Sequence, residues 1–416
     1  MTEKDAADSD AHCRSLNVWA LEPYFGGSHE SFFKGLVRES AHRFSLLTLP
    51  GRNWKWRMHG GAISLAQQAC AHHGEVGKAP QVYFASDMLD LPLFLAMTGP
   101  RLGRVPTMVY FHENQLTYPL PEGVERDLGY GFKNLASAAV ADAVLFNSDF
   151  HRREFLSAAA DLVSGMPDEV PRRLVEEVSA RSRVLPVGCD LRRFDDHIKQ
   201  AGRDQAQNRW GDSESGPLIL WNQRWEYDKA PGALFEALYA LKEMGAPFRL
   251  AMAGANQGTP TAEFVKAKKV LADHIVQWGN LKEVSDYASL LWGADVVVST
   301  ALHEFFGVAA VEAVYCGCRP VLPKRLSYPE LIPVEAQGDV LYEEDDLVPA
   351  LGKALAQPNA WSKDWQRSWV AHFDWGAMRG RYDEEIRRCW ETVVRPPLAP
   401  EGGRAGGGNL EKGVHA

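Results

Sequence analysis

Two doubly wound α/β domains are what this 416-residue sequence predicts, on three observations. Twelve short apolar runs punctuate the chain, and they are near-continuous rather than alternating, as in parallel strands covered on both faces. The segments between runs are long enough for helices, which parallel connections require. The runs also fall into two sets of six, separated by a charged stretch from Arg192 to Gly216 that carries no apolar run.

Taken in order, the first set is LNVWAL, FSLLTL, VYFAS, TMVYFH, AVLFNS and RVLPVG, placing a first domain at residues 16–190. The second set, LILWNQ, FRLAMAG, IVQWG, DVVVST, PVLP and DVLY, places a second at 191–375. Residues 376–396 read as one amphipathic helix whose periodicity does not say which domain it packs against. Residues 1–15 are acidic and polar, and 397–416 are rich in Pro and Gly, so both are expected to be disordered tails.

Bulk composition narrows the function. An apolar content of 45% supplies large cores, and 45 Lys+Arg against 54 Asp+Glu, a net charge of −9, argues against a strongly basic nucleic-acid binder. Residues 11–190 hold 18 basic and 19 acidic residues, so a local basic face in the first half is compatible with that balance. The six cysteines show no CxxC spacing, and Cys316 and Cys318 are too close for structural zinc, so reduced thiols are expected. The polar N-terminus has no apolar leader core and no run of about 18 apolar residues occurs, which predicts a cytoplasmic protein that does not enter a membrane.

The stretch HEFFGVAAVEA follows the run DVVVST. It sets Glu304 in the loop at a helix start and Glu312 a little over two turns along that helix. A carboxylate at the mouth of a sheet crevice accepts hydrogen bonds from hydroxyls, and the amides of Phe306, Gly307 and Val308 at the helix start suit a phosphate. The alternative is an ordinary strand, loop and helix with two solvated glutamates. In WNQRWEYDK, Arg224 and Lys229, with Asn222 in the same loop, follow a strand and could neutralise a diphosphate, or be solvated surface cations. Gly254 and Asn256 of AGANQG lie in a further strand-end turn that either lines a pocket or closes a loop.

In the first half, Gly26 and Gly27 of EPYFGGSHESF follow a strand and precede a helix. They allow close backbone approach to a ligand, or simply make a tight turn. Neither GxGxxG nor a P-loop is present, so NAD or ATP use is not indicated. His112, Glu113 and Asn114 cluster at the end of TMVYFH. The run lacks the second His of HExxH, and a donor and acceptor cluster for a polyhydroxyl ligand competes with a structural His–Glu pair. GRNWKWRMHG interleaves Trp54 and Trp56 with Lys55, Arg57 and His59, the combination that unstacked RNA bases require, unless this is a surface loop with its tryptophans turned inward. The one DxD, Asp8 to Asp10, lies in the N-terminal tail, and no metal dependence is expected.

Together these stretches resemble a two-domain GT-B glycosyltransferase of the family 4 type over most of residues 16–390. The diglycine, Arg224 with Lys229, the E-x7-E pair and the turn PVGCD carry the likeness. The resemblance implies a donor cleft between the domains, Glu304 on the donor sugar, Glu312 on the ribose and Arg224 with Lys229 on the diphosphate. It also implies retention of anomeric configuration, no metal, and a last helix crossing back to the first domain. EPYFGGSHESF, LPGRNWKWRMHGGAISLA, ASDMLDLPLFLA, YFHENQLTYP and FNSDFHRREF further resemble the tRNA-queuosine α-mannosyltransferase family, which glycosylates queuosine in the anticodon loop of aspartate tRNA. That likeness implies GDP-mannose as donor and Trp54, Lys55, Trp56 and Arg57 against the acceptor. The net charge of −9 is unusual for a tRNA binder, so RNA contact has to be local, or the acceptor is a small molecule, lipid or glycan. A GT-B phosphorylase would need a pyridoxal-phosphate lysine that the sequence does not identify, and a binding module without turnover would not need Arg224, Lys229, Glu304 and Glu312 together.

Overall fold

The computed structural model describes residues 15–120, 123–202, 209–210, 215–255 and 261–394. Both predicted tails fall outside the described residues, apart from Ser15. Among the described residues, twelve strands form two six-stranded, wholly parallel sheets. The first has the order β2-β1-β3-β4-β5-β6 and the second β12-β11-β10-β7-β8-β9. The first sheet comprises β1 (Asn17–Phe25), β2 (Arg43–Pro50), β3 (Val82–Ser86), β4 (Thr107–Phe111), β5 (Ala143–Phe146) and β6 (Ser182–Val184). The second comprises β7 (Leu218–Trp221), β8 (Arg249–Met252), β9 (Ile275–Trp278), β10 (Val296–Val298), β11 (Arg319–Pro323) and β12 (Leu341–Tyr342).

Every residue of β3, β4 and β5 is buried, which explains why these runs are apolar at consecutive rather than alternate positions. Two runs shorten. RVLPVG forms a strand only as far as Val184, because Pro186 has no N–H to give a ladder. DVLY pairs only through Leu341 and Tyr342, since Asp339 and Val340 belong to the helix Val334–Val340 and the Asp339 carboxylate holds Arg319 at 2.9 Å.

One apolar cluster runs from one face of the first sheet, through the final helix, into one face of the second. The opposite faces have separate clusters. The final helix, Trp375–Val394, lies on the first sheet. Its Tyr382 hydroxyl donates to the Pro186 carbonyl at 2.7 Å, Asp383 accepts from Ser40 and the Ala41 amide, and Glu385 pairs with Arg183 at 3.1 Å. Trp375 occupies space that only glycine leaves: a Cβ on Gly35 would sit 2.0 Å from its indole, and one on Gly188 2.5 Å. The chain returns through a parallel bridge between Cys189 and Asp374. No helix among the described residues is long and apolar enough to cross a membrane.

Candidate active site

The carboxyl ends of both sheets meet across a cleft, and the loops that follow the strands furnish it. On the second-domain side, the loop after β7 ends in a short turn, Tyr227–Lys229. Lys229 has only 8% of its side chain exposed. Its ammonium donates to the His303 carbonyl at 2.7 Å and pairs with Asp228 at 3.0 Å and Glu304 at 3.4 Å. Burial pulls its pKa down, but the two carboxylates outweigh burial and hold it charged. Glu304 therefore sits in the loop before the helix Val308–Tyr315, attached to the Lys229 cation rather than solvated. Arg224 is half-exposed and pairs with Glu226 at 3.1 Å. Burial lowers the pKa of Arg224 as well, and Glu226, with Tyr118 and Glu113 of the first domain, more than restores it.

Glu312 is inward-facing too. One oxygen accepts from Arg193 at 2.7 Å and the other from the Tyr287 hydroxyl at 2.8 Å, while Asn222 donates to Tyr287 at 3.0 Å and to the Ala309 carbonyl at 2.9 Å. Burial raises the Glu312 pKa despite the guanidinium beside it. Arg193 belongs to the helix Arg192–Ala201 that follows the first domain, so this carboxylate ties the helix Val308–Tyr315 to it. Each oxygen keeps a lone pair, so a ligand hydroxyl could add to the network without breaking it. Phe306 buries its ring against Phe373, and Gly307, at φ +98°, caps the helix where a Cβ would meet Tyr328 at 3.2 Å. Phe306, Gly307 and Val308 therefore present backbone, and the first amides of a helix have no intrahelical partner. Gly254 is dictated by packing: a Cβ would lie 1.6 Å from the Gln223 carbonyl. Asn256 lies outside the described residues.

On the first-domain side the two glycines divide their roles. Gly26 is extended and faces Gly51 backbone to backbone, where a Cβ on Gly51 would come within 2.8 Å of Gly26. The missing side chain of Gly26 thus serves packing between strand ends. Gly27, at φ +56°, has open space around it.

His112 is packed among rings, 4.3 Å from His29, 4.6 Å from Phe32 and 4.9 Å from Tyr110 by centroids, and its Nε2 has no partner among the described residues. Burial, then the charge of His29, pushes its pKa well down, so His112 is a neutral imidazole. His29 is the opposite. Burial alone would lower it, yet the ion pair with Glu22 at 2.8 Å carries it up to about 9. Burial raises Asp87 to about 8, with one oxygen accepting the His112 amide at 2.9 Å and the other without a partner among the described residues. The sequence reading missed Glu22, His29 and Asp87. The available signal was the carboxylate of Glu22 directly after the apolar run LNVWAL and still within β1, a position that a solvated glutamate does not occupy. Glu22, His29 and His112 place donor atoms within 4.8 Å of one another, the spacing of a metal set, although the Nδ1 of His29 is engaged by Glu22.

Asn114 is fully buried, and its side-chain oxygen accepts from the amides of Leu116 and Thr117 at 3.0 Å each, so it shapes its own loop. Glu113 stays near the surface of that loop, 3.4 Å from Gln115. Trp54, Lys55, Trp56 and Arg57 form the first turn of a long helix, Trp54–Val76, not a loop, and the tryptophans face outward at 37% and 64% exposure. Lys55 lies 5.7 Å over the Trp54 ring, and the Arg57 Nε donates to the Pro50 carbonyl. Trp54 and His59 both contact Tyr130, at 5.2 and 5.1 Å, a ring that the sequence reading did not single out.

The domains touch directly across the cleft. Glu330 accepts from the Asp149 and Phe150 amides at 2.9 and 2.6 Å, capping the helix Asp149–Ser164 from the other domain. Phe305 stacks on His151 at 3.7 Å, and Tyr118 meets His303 at 4.7 Å.

Residues 17–189 match the family described as tRNA-queuosine alpha-mannosyltransferase N-terminal, and residues 202–366 match Glycosyl transferases group 1. The chain is similar to the tRNA-queuosine alpha-mannosyltransferase of Drosophila melanogaster, 34% identical over 324 residues, 78% of this chain and 83% of that one. It is also similar to the GDP-mannose:cellobiosyl-diphosphopolyprenol alpha-mannosyltransferase of Xanthomonas campestris, 30% identical over 222 residues, 51% of this chain and 54% of the relative. Among solved structures it resembles the catalytic domain of starch synthase IV from Arabidopsis thaliana bound to ADP and acarbose, with a TM-score of 0.67 at 13% identity, over 91% of this chain and 100% of that one. The last likeness shows fold alone, the GT-B arrangement of two facing α/β domains. The chain is a glycosyltransferase. With its first domain matched along the whole sheet and a relative aligned over most of both lengths, it belongs to the tRNA-queuosine alpha-mannosyltransferase family.

Proposed function

We propose that this enzyme moves mannose from GDP-mannose to the queuosine base of tRNA(Asp) in the cytoplasm, with retention of configuration and without a metal. The observation that carries the acceptor is the start of the helix Trp54–Val76. Its first turn holds no acidic residue and presents Lys55 and Arg57 beside two exposed tryptophans. Cations at a helix N-terminus oppose the macrodipole by roughly 0.3–1 kcal/mol each, so this placement disfavours folding and favours an anionic partner. Phosphate for the cations and unstacked bases for the indoles meet that description together. The patch is local, which reconciles RNA binding with a net charge of −9.

GDP-mannose is supported by the donors that relatives such as the Xanthomonas enzyme carry in their names. In the mechanism we infer, Lys229 and Arg224 stabilise the diphosphate as it departs, where charge develops most; a preorganised contact of this kind is worth roughly 3–4 kcal/mol. Glu304, held by Lys229, orients the sugar hydroxyls. Neutral His112, with a free ring nitrogen, offers a hydrogen bond to the sugar without adding charge. Glu312 and Asn222 hold the ribose side. The acceptor hydroxyl attacks the anomeric carbon on the face that the diphosphate leaves, the glycosidic bond to phosphate breaks as the new one forms, and the departing phosphate oxygen takes the hydroxyl proton.

Incubating the protein with GDP-mannose and queuosine-containing tRNA(Asp), followed by nucleoside mass spectrometry, tests this. A hexose on queuosine is expected. Donor turnover with no change in the nucleoside would refute the acceptor and move it to a small molecule, lipid or glycan.

A further inference from the structure

A second aromatic and cationic site lies away from the cleft. Trp225, Phe264 and Trp278 line a cavity of about 560 Å³ with Lys268 and Lys269 at its rim. Trp225 stacks flat on Phe264 at 4.2 Å and 10°, and Trp278 meets Trp225 edge-on at 5.5 Å, so the wall is a rigid aromatic corner. The indole N–H of Trp225 has no acceptor among the described residues. Both lysines are exposed and neither is paired with a carboxylate among the described residues, unlike Lys266 one turn earlier, which faces Glu236.

The sheet itself separates this cavity from the donor side. Asn222, Tyr287 and Glu312 gather on the face whose core includes Val311, Ala313 and Phe306. Phe264 belongs to the core of the opposite face, with Trp225 and Trp278 packed against it. The cavity nevertheless opens at the carboxyl edge of β7 and β9, and Trp225 is the neighbour of Arg224, so it stands beside the cleft mouth. An aromatic corner suits the face of a flat heterocycle, and two unpaired lysines at the rim suit its phosphates. A lipid tail or apolar peptide would leave those cations unused.

We propose that this cavity is a second RNA-binding site, which receives an unstacked nucleotide of the acceptor tRNA while the Trp54–Arg57 patch engages another part of it. The inference rests on the RNA acceptor proposed above. Both lysines are surface residues, so Lys268→Ala/Lys269→Ala preserves the fold, and the full chain can be used. Binding of queuosine-containing tRNA is measured by filter retention between 50 and 300 mM salt for wild type and variant, with GDP-mannose affinity measured alongside. Removing two phosphate contacts flattens the log affinity against log salt slope by about 1.4. Roughly tenfold weaker tRNA binding at low salt is expected, with donor affinity unchanged. An unchanged slope and affinity in the variant overturns the second site alone, and weakened donor affinity with intact tRNA binding overturns it by assigning the cavity to the donor. Wild-type protein that binds no tRNA overturns both this inference and the RNA acceptor.

Discussion

Replacing Lys229 by Met tests the centre of the site, because it removes one charge while nearly conserving shape. Lys229 serves three groups at once: the His303 carbonyl at 2.7 Å and the carboxylates of Asp228 and Glu304 at 3.0 and 3.4 Å. Two consequences are expected and can be separated. The first concerns the fold. With the cation gone, two carboxylates face each other in a buried pocket, and breaking such an arrangement costs about 3–5 kcal/mol, lowered as one of them takes a proton. For a domain of this size that is a fall in Tm on the order of 10 °C. The second concerns the reaction, where losing a preorganised contact to the leaving diphosphate slows kcat by about 10²–10³-fold. Adding Glu304→Gln to Lys229→Met removes the stranded charge, so the double variant is expected to recover part of the stability and none of the rate. Thermal unfolding and single-turnover mannosyl transfer measure the two effects side by side. A Lys229→Met enzyme with kcat within threefold of wild type would remove the lysine from diphosphate stabilisation. Recovery of rate in the double variant would refute the separation of the two roles.

Three further outcomes are expected. Glu304→Ala abolishes transfer but leaves Lys229 paired with Asp228 and His303, so its Tm should stay within a few degrees of wild type, and near-normal turnover would take Glu304 out of the site. Trp56→Ala, at a position 64% exposed, should shift stability by under about 0.5 kcal/mol while raising KM for tRNA several-fold at unchanged donor KM; equal KM for tRNA would place the acceptor elsewhere. His29, carried to about 9 from an ordinary 6.5, contributes stability that is full below pH 6.5 and is lost as pH rises through 9. The contribution is on the order of 3 kcal/mol. Asp87, raised to about 8, favours the protonated fold as well and acts in the same direction. Urea midpoints measured from pH 6 to 9.5 should therefore fall, and Glu22→Gln should flatten that fall; a rising midpoint would contradict the imidazolium assignment.

The parts of this molecule legible in the sequence are those fixed by local pattern. Buried parallel strands announce themselves as runs such as VYFAS and AVLFN, and a residue just after such a run lies at a sheet edge, so the loop positions of Arg224, Lys229 and Glu304 followed from chain order alone. What those side chains touch did not follow. Glu312 meets Arg193 across 119 positions, and Glu22, Asp87 and His112 come together from the ends of three strands, because sheet order and not sequence distance sets their proximity. The contacts of Asn114 were equally out of reach: its side-chain oxygen satisfies neighbouring backbone, as Asn does in turns, and a polar cluster in sequence can be a loop holding itself together. The tryptophans at 54 and 56 were readable as a basic and aromatic cluster but not as helix, since Asn53 in a left-handed conformation starts a helix without the usual acidic first turn.

The return of the last helix to the first sheet has a consequence for how the chain is made. Tyr382 and Trp375 fill gaps over Phe32, Tyr110, Gly35 and Gly188 that nothing nearer in sequence covers. On a ribosome the first domain has all its strands once Val184 emerges, yet its apolar face stays open until roughly two hundred more residues are synthesised. At about 5–20 residues per second that is on the order of 10–40 s of exposed core. The second domain is therefore synthesised while the first is still incomplete, and a nascent chain of this protein should be a chaperone substrate in a way that a protein with self-contained domains is not.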